Sequence, residues 1–90
     1  MNSSIKKSLT SDQIRAARAL IRWSAEDLAR SSAVGLTTIR RAELTIEKTS
    51  LTAANDQAIR RALEAAGIEF IQENGGGPGV RLRKPPKQKR

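Results

Sequence analysis

Residues 24–43 read SAEDLARSSAVGLTTIRRAE, and this stretch carries the pattern of two short helices joined by a tight turn. Ser24 with Asp27 three residues later approximates a capping box, in which a hydroxyl and a carboxylate each take one of the N–H groups left open at a helix start. Leu28 and Ala29 form the inward side of the first helix, which ends near Ser32-Ala33. The second runs over 36–44 and buries Ile39 and Ala42. Val34 is apolar although it lies in the turn, so the turn itself is expected to pack between the helices. Small Ala29 allows a close crossing, with Val34 and Ile39 filling the angle.

That crossing leaves the second helix with one open face, on which Thr37, Arg40, Arg41 and Leu44 fall together at spacings of three and four. The residue types suit the DNA major groove. Arginine pairs bidentately with guanine, and a threonine offers its methyl to the thymine methyl and its hydroxyl to a base edge or phosphate. Leu36 and Thr37 stand at the helix N-terminus, the end that meets base edges in this arrangement. Leu36, Thr37, Arg40, Arg41 and Leu44 are therefore the expected base contacts, and Arg22, Ser24, Arg30, Thr38 and Lys48 the expected phosphate contacts. The competing reading of Arg40-Arg41 is a solvated face paired to Glu43 or Glu47.

Outward from this stretch, Ile14, Ala17, Leu20 and Ile21 recur at helical spacing, predicting a helix over about 12–22 with Ser11 as N-cap. Arg15, Arg18 and Arg22 fall off that stripe and are expected in solvent. Trp23 reads as a core or hinge residue. Downstream, Ser50 or Thr52 caps a fourth helix whose inward face is Leu51, Ala54, Ala58, Ile59, Ala62, Leu63 and Ala66, ended by Gly67 in a left-handed conformation. The periodicity then changes. Residues 68–71 and 80–83 alternate around a Gly/Pro cluster at 74–79, the pattern of a β-hairpin. A hairpin alone is marginal in water, so this one must pack on the helices or pair with a second subunit's. The expected organisation is a flexible segment 1–10, a helical domain 11–67, a hairpin extension 68–83 and a disordered basic tail 84–90: mainly α, four helices with a C-terminal β-hairpin.

The chain of 90 residues has room for one domain and carries a net charge of +8 with neither cysteine nor histidine. The first fifty residues hold nine Lys/Arg against five Asp/Glu, 51–83 are neutral, and the tail holds four bases and no acid. A basic surface draws polyanions through long-range attraction. The missing cysteine and histidine leave no disulfide framework, no zinc site of the usual kind and no thiol nucleophile. No acid pair or triad-like arrangement is visible, so an enzyme is not expected, nor a cofactor. MNSSIKKSLT has no apolar run behind its lysines and does not read as a signal peptide, and a cytoplasmic location is expected. Gly75-Gly76-Gly77-Pro78-Gly79 is no phosphate loop, since such loops precede a helix and here a strand follows.

Residues 11–67, and most closely 24–43, resemble the Xre-type (phage lambda repressor and Cro-like) helix-turn-helix regulators. The matching features are Leu28-Ala29, Val34 in the turn, Thr37-Thr38-Ile39 opening the recognition helix, and Glu43 near its end. The stretches AIRRALEAAGIEFI (58–71) and ENGGGPGVRLR (73–83) are similar to a compact proteobacterial branch of these proteins. The resemblance implies a lambda-repressor-like domain that regulates transcription, as a repressor or otherwise, by binding double-stranded DNA as a homodimer. Family members often carry glycine where this chain has Ala33, and again after the recognition helix, where it has Leu44-Thr45. Alanine at a positive φ costs about 1 kcal/mol. A function from another class stays open: a protein-interaction module, such as an antitoxin or anti-activator, holding a protein partner through the hairpin.

Overall fold

Thr10 accepts a hydrogen bond from the Gln13 backbone N–H at 3.0 Å, and the Gln13 side chain accepts one in return from the Thr10 N–H, also at 3.0 Å. This reciprocal box starts helix α1 (Ser11–Ile21) one residue before the start expected from Ser11. The difference is chemical. Ser11 could not form such a box, because the residue three positions on is Ile14, which has no side-chain acceptor and is fully buried. Ser11 itself turns inward. In this computed structural model, which describes residues 8–46 and 49–83, the chain forms four helices followed by a two-stranded antiparallel hairpin. The expectations placed on residues 1–7, on Lys48 and on the tail 84–90 lie outside the described residues.

Helix α2 (Ala25–Ser32) starts from the reciprocal Ser24–Asp27 box read in the sequence, at 3.0 Å and 2.9 Å. It ends on Ala33, whose φ of 60° and ψ of 25° place a non-glycine residue in the left-handed region. The Ser32 hydroxyl holds the turn by donating to the Leu28 carbonyl at 2.7 Å and accepting from the Val34 N–H at 3.2 Å. Val34 is buried, as expected of a turn packed between helices. The methyl group of Ala33 adds strain with no contact to offset it, for the residue is exposed. Ala33→Gly removes the strain but gives the unfolded chain more freedom, a smaller and opposing effect. The variant is expected to be more stable by about 0.5–1 kcal/mol, read as a higher midpoint in urea with an unchanged slope.

Helix α3 (Leu36–Leu44) follows, and then α4 (Ala53–Ala65), capped by Thr52, whose hydroxyl accepts from the Asn55 N–H at 3.1 Å. The core is Leu9, Ile14, Ala17, Leu28, Val34, Ile39, Ile59, Leu63 and Ile68, with Trp23 packed against it from the side. Two residues expected to face inward do not. Leu20 is 42% exposed, because the contact side of α1 is centred on Ile14 and Ala17, and Ala54 is exposed in the first turn of α4, outside the crossing with α2. Gly67 takes a φ of 107°, reversing the chain after α4.

Strands β1 (Ile68–Ile71) and β2 (Gly79–Leu82) pair with Ile68 opposite Leu82 and Phe70 opposite Val80, so the second strand begins one residue before the alternation suggested. The hairpin packs on the helices. The Gln13 amide donates to the Gly79 carbonyl at 3.0 Å, and the Arg83 guanidinium donates to the Glu64 carbonyl at 3.1 Å. Arg60, buried on α4, lies over the Phe70 ring with its guanidinium carbon 5.3 Å from the centroid, a cation–π contact that ties β1 to the helical body. Among the described residues, no helix is long and apolar enough to cross a membrane.

Candidate nucleic-acid interface

Helix α3 divides cleanly into two sides. Ile39, Ala42 and Glu43 are buried, while Thr37, Arg40, Arg41 and Leu44 are exposed, with Leu36 and Thr38 between. All four outward residues expected on the open face therefore lie on it. The helix starts at Gly35 with no side-chain cap, so the N–H groups of its first turn have no side-chain acceptor and favour an anion. Thr38 and Arg41 line a cleft whose other wall is Ser50, Thr52 and Asn55 at the start of α4.

Glu43 is the one carboxylate on α3, and it points into the protein. There the Arg18 guanidinium grips it with two hydrogen bonds, Nε to Oε2 at 2.7 Å and Nη2 to Oε1 at 2.8 Å. Arg18 also donates to the Trp23 carbonyl at 2.8 Å. Its pKa is raised, chiefly by the hydrogen bonds to Glu43 and against the opposing effect of burial. Arg18 is thus not the solvated residue expected from its place off the stripe of α1. It and Glu43 face each other across the α1–α3 contact, where an isolated charge would be costly and a bidentate pair is tolerated. The outward side of α3 is left with no negative charge of its own.

The same contact closes the C-terminal end of α3. Helices often finish on a left-handed glycine, but Thr45 is extended, with φ −74° and ψ 140°. The last carbonyls are taken up by α1 instead. Arg15 donates to the Glu43 carbonyl at 2.6 Å and the Ser11 hydroxyl to the Thr45 carbonyl at 2.5 Å. A glycine after Leu44 is unnecessary because side chains supply the cap.

The two outward arginines differ. Arg40 donates to Glu26 of α2 at 3.0 Å, with both side chains about half exposed at 56% and 53%. Its partner is not Glu43, which is turned inward to Arg18, and Glu47 lies outside the described residues. Arg41 has no carboxylate partner among the described residues. No protein family and no curated protein matches the chain. The site therefore rests on its own geometry.

Of the expected phosphate contacts, Arg22 is exposed at the left-handed end of α1, with φ 59°. Arg30 is exposed and paired with Asp27. The Ser24 N–H is already engaged by the Asp27 carboxylate, whose pKa is lowered mainly by that hydrogen bond. Glu26 and Asp27 together make the start of α2 a poorer place for phosphate than the start of α3. Sequence reading missed four side chains here: Arg18, Arg15, Ser11 and Glu26. For Arg18 a signal exists, since it sits four residues from Ile14 on α1, just as Glu43 sits four residues from Ile39 on α3. Each charge lies on the flank of a buried stripe.

Proposed function

We propose that the protein is a sequence-specific regulator of transcription that binds double-stranded DNA through a lambda-repressor-like helix-turn-helix, with α2 and α3 as the helix pair and α3 in the major groove. The observation that carries this reading is the exposed side of α3. It presents Thr37, Arg40, Arg41 and Leu44 together while its only carboxylate is turned inward and neutralised by Arg18. Such a face offers bidentate donors to guanine and apolar contact to thymine, and α3 itself adds no outward carboxylate to repel phosphate. In this reading Leu36 and Thr37 approach base edges from the helix N-terminus, with Thr38 and the surrounding arginines on the backbone. The protein acts in the cytoplasm as a homodimer, its two α3 helices entering successive major grooves about 34 Å apart. No cofactor and no catalysis enter this account.

The test is binding to the duplex upstream of the protein's own gene against a shuffled duplex, at several salt concentrations. Preference for the native duplex, with log affinity falling linearly in log salt, is the expected result. Equal binding to both refutes sequence-specific recognition, and no binding at any salt refutes the whole reading in favour of a protein-interaction module. Glu26 adds a prediction. In the free protein it holds Arg40, and an exposed pair of this kind is worth at most about 1 kcal/mol. Glu26→Gln frees Arg40 and removes a negative charge beside the phosphates, so binding tightens by about two- to fivefold. A loss of affinity would mean that Glu26 holds Arg40 in its DNA-competent position.

A further inference from the structure

Two large aliphatic side chains stand almost entirely in water at the end of α3. Leu44 is 80% exposed and Ile46 is 94% exposed, well beyond Leu82 at 50% and Leu20 at 42%. They do not hang on a loose end. Thr45 between them is held from both directions, its hydroxyl donating to the Arg41 carbonyl at 3.0 Å and its own carbonyl accepting from Ser11 at 2.5 Å. Leu44 lies three and four residues from Arg41 and Arg40, so it shares their face of the helix. The fold thus sets Leu44 on the arginine face of α3, with Ile46 just past the helix end.

We infer that Leu44 and Ile46 read thymine, by contact with its 5-methyl group, at the edge of the footprint of α3. The inference rests on the DNA reading above and deepens it. Charge decides the occupant. An apolar protein surface laid on Leu44 would also have to cover Arg41, which has no carboxylate partner among the described residues, and burying an unpaired guanidinium is costly. The major groove of DNA satisfies both demands, with phosphates for the arginines and the thymine methyl as its apolar group. Leu44 lies seven residues from Thr37, about 10 Å along the helix, so the thymine readout is separate from that of Thr37 and falls toward one end of each half-site.

The experiment replaces one thymine at a time by deoxyuridine, which removes only the methyl group, in the duplex that the full chain selects from a random pool. Affinity is measured for the wild type and for Leu44→Ala/Ile46→Ala. The substitutions are on the surface, and a thermal melt checks that the fold is retained. The wild type is expected to lose about fourfold at each contacted thymine, the value of one buried methyl. The variant binds thymine and deoxyuridine duplexes alike and keeps the wild-type salt dependence. Indifference of the wild type to every replacement overturns the inference, as does an equal loss in wild type and variant. So does a variant that still senses the methyl but shifts from dimer to monomer in sedimentation, for the pair would then join two copies of the chain. Failure to select any duplex is a different result, and it removes the DNA reading along with this inference.

Discussion

Glu43→Ala is expected to lower the stability of the domain by about 3 kcal/mol, because it strands the Arg18 guanidinium in the α1–α3 contact. Removing one partner of a buried pair typically costs 3–5 kcal/mol, since the other charge stays behind without compensation. The lower figure applies because 22% of the Arg18 side chain remains in water against 9% for Glu43. A domain of this size has roughly 5–13 kcal/mol in all, at 0.05–0.15 kcal/mol per residue, so this one change takes a large share. At about 4–8 °C per kcal/mol for a domain of this size, the midpoint of thermal unfolding falls by more than 10 °C. The pair is not expected to be better than apolar packing. Arg18→Met/Glu43→Leu should therefore recover most of the loss, and the double-mutant cycle should show a coupling of at least about 1.5 kcal/mol. Additive single effects would show that the two groups act independently. The DNA readout moves differently. With Glu43→Ala, α3 loses its two side-chain bonds to Arg18 and keeps only the backbone contacts from Arg15 and Ser11 at that end, so discrimination between duplexes falls even under conditions where the protein stays folded.

The helical pattern was legible because each helix carries an apolar stripe, and all but α3 also carry a side-chain start signal. Ser24-x-x-Asp27 and Thr52 mark two starts, and the bounds of α3 are those read from the sequence. The hairpin was legible from the change in period at Gly67 and the glycine cluster. Failures occur where a polar residue works against its usual place. Ser11 looks like an N-cap and is instead a buried donor to Thr45, a contact set by the α1–α3 packing and invisible to local pattern. Thr10-x-x-Gln13 is a better capping box and was present to be read. Arg60 lies between Ile59 and Arg61 on α4, and its contact with Phe70 on β1, a partner ten residues away on another element, is absent from that local pattern.

For the site, the outward set on α3 was legible because it follows from helical spacing alone. The pairing of its charges was not. Glu26 and Arg40 are fourteen residues apart, and their meeting depends on the angle between α2 and α3. The Arg18–Glu43 pair spans twenty-five residues and depends on where α1 crosses. Sequence patterns report which face a residue occupies, while ion pairs between helices report a crossing geometry that the pattern does not contain.

Arg41→Ala is expected to weaken binding to the preferred duplex by about 1–3 kcal/mol, five- to 150-fold, and to relax the preference at one base pair. Arg41 is chosen over Arg40 because nothing in the described structure competes for it. Arg40 must first leave Glu26, which offsets part of what it gains on DNA. Arg40→Ala should accordingly show the smaller loss. Two roles for Arg41 remain to be separated. As a bidentate partner of guanine it cannot be replaced by lysine, whose ammonium lacks the planar fork. As a phosphate contact it can, because charge alone then matters. Arg41→Lys should therefore keep the wild-type salt slope but lose discrimination at the same base pair as Arg41→Ala. If lysine restores full affinity and selectivity, Arg41 belongs to the backbone contacts, and the slope for Arg41→Ala should fall by about one. Neither variant should change stability by more than about 0.5 kcal/mol, since the side chain is exposed. A loss of binding with unchanged stability then reports on contact with DNA and not on the fold. In Glu43→Ala the two effects arrive together, and that contrast separates a residue that holds α3 in place from one that reads the groove.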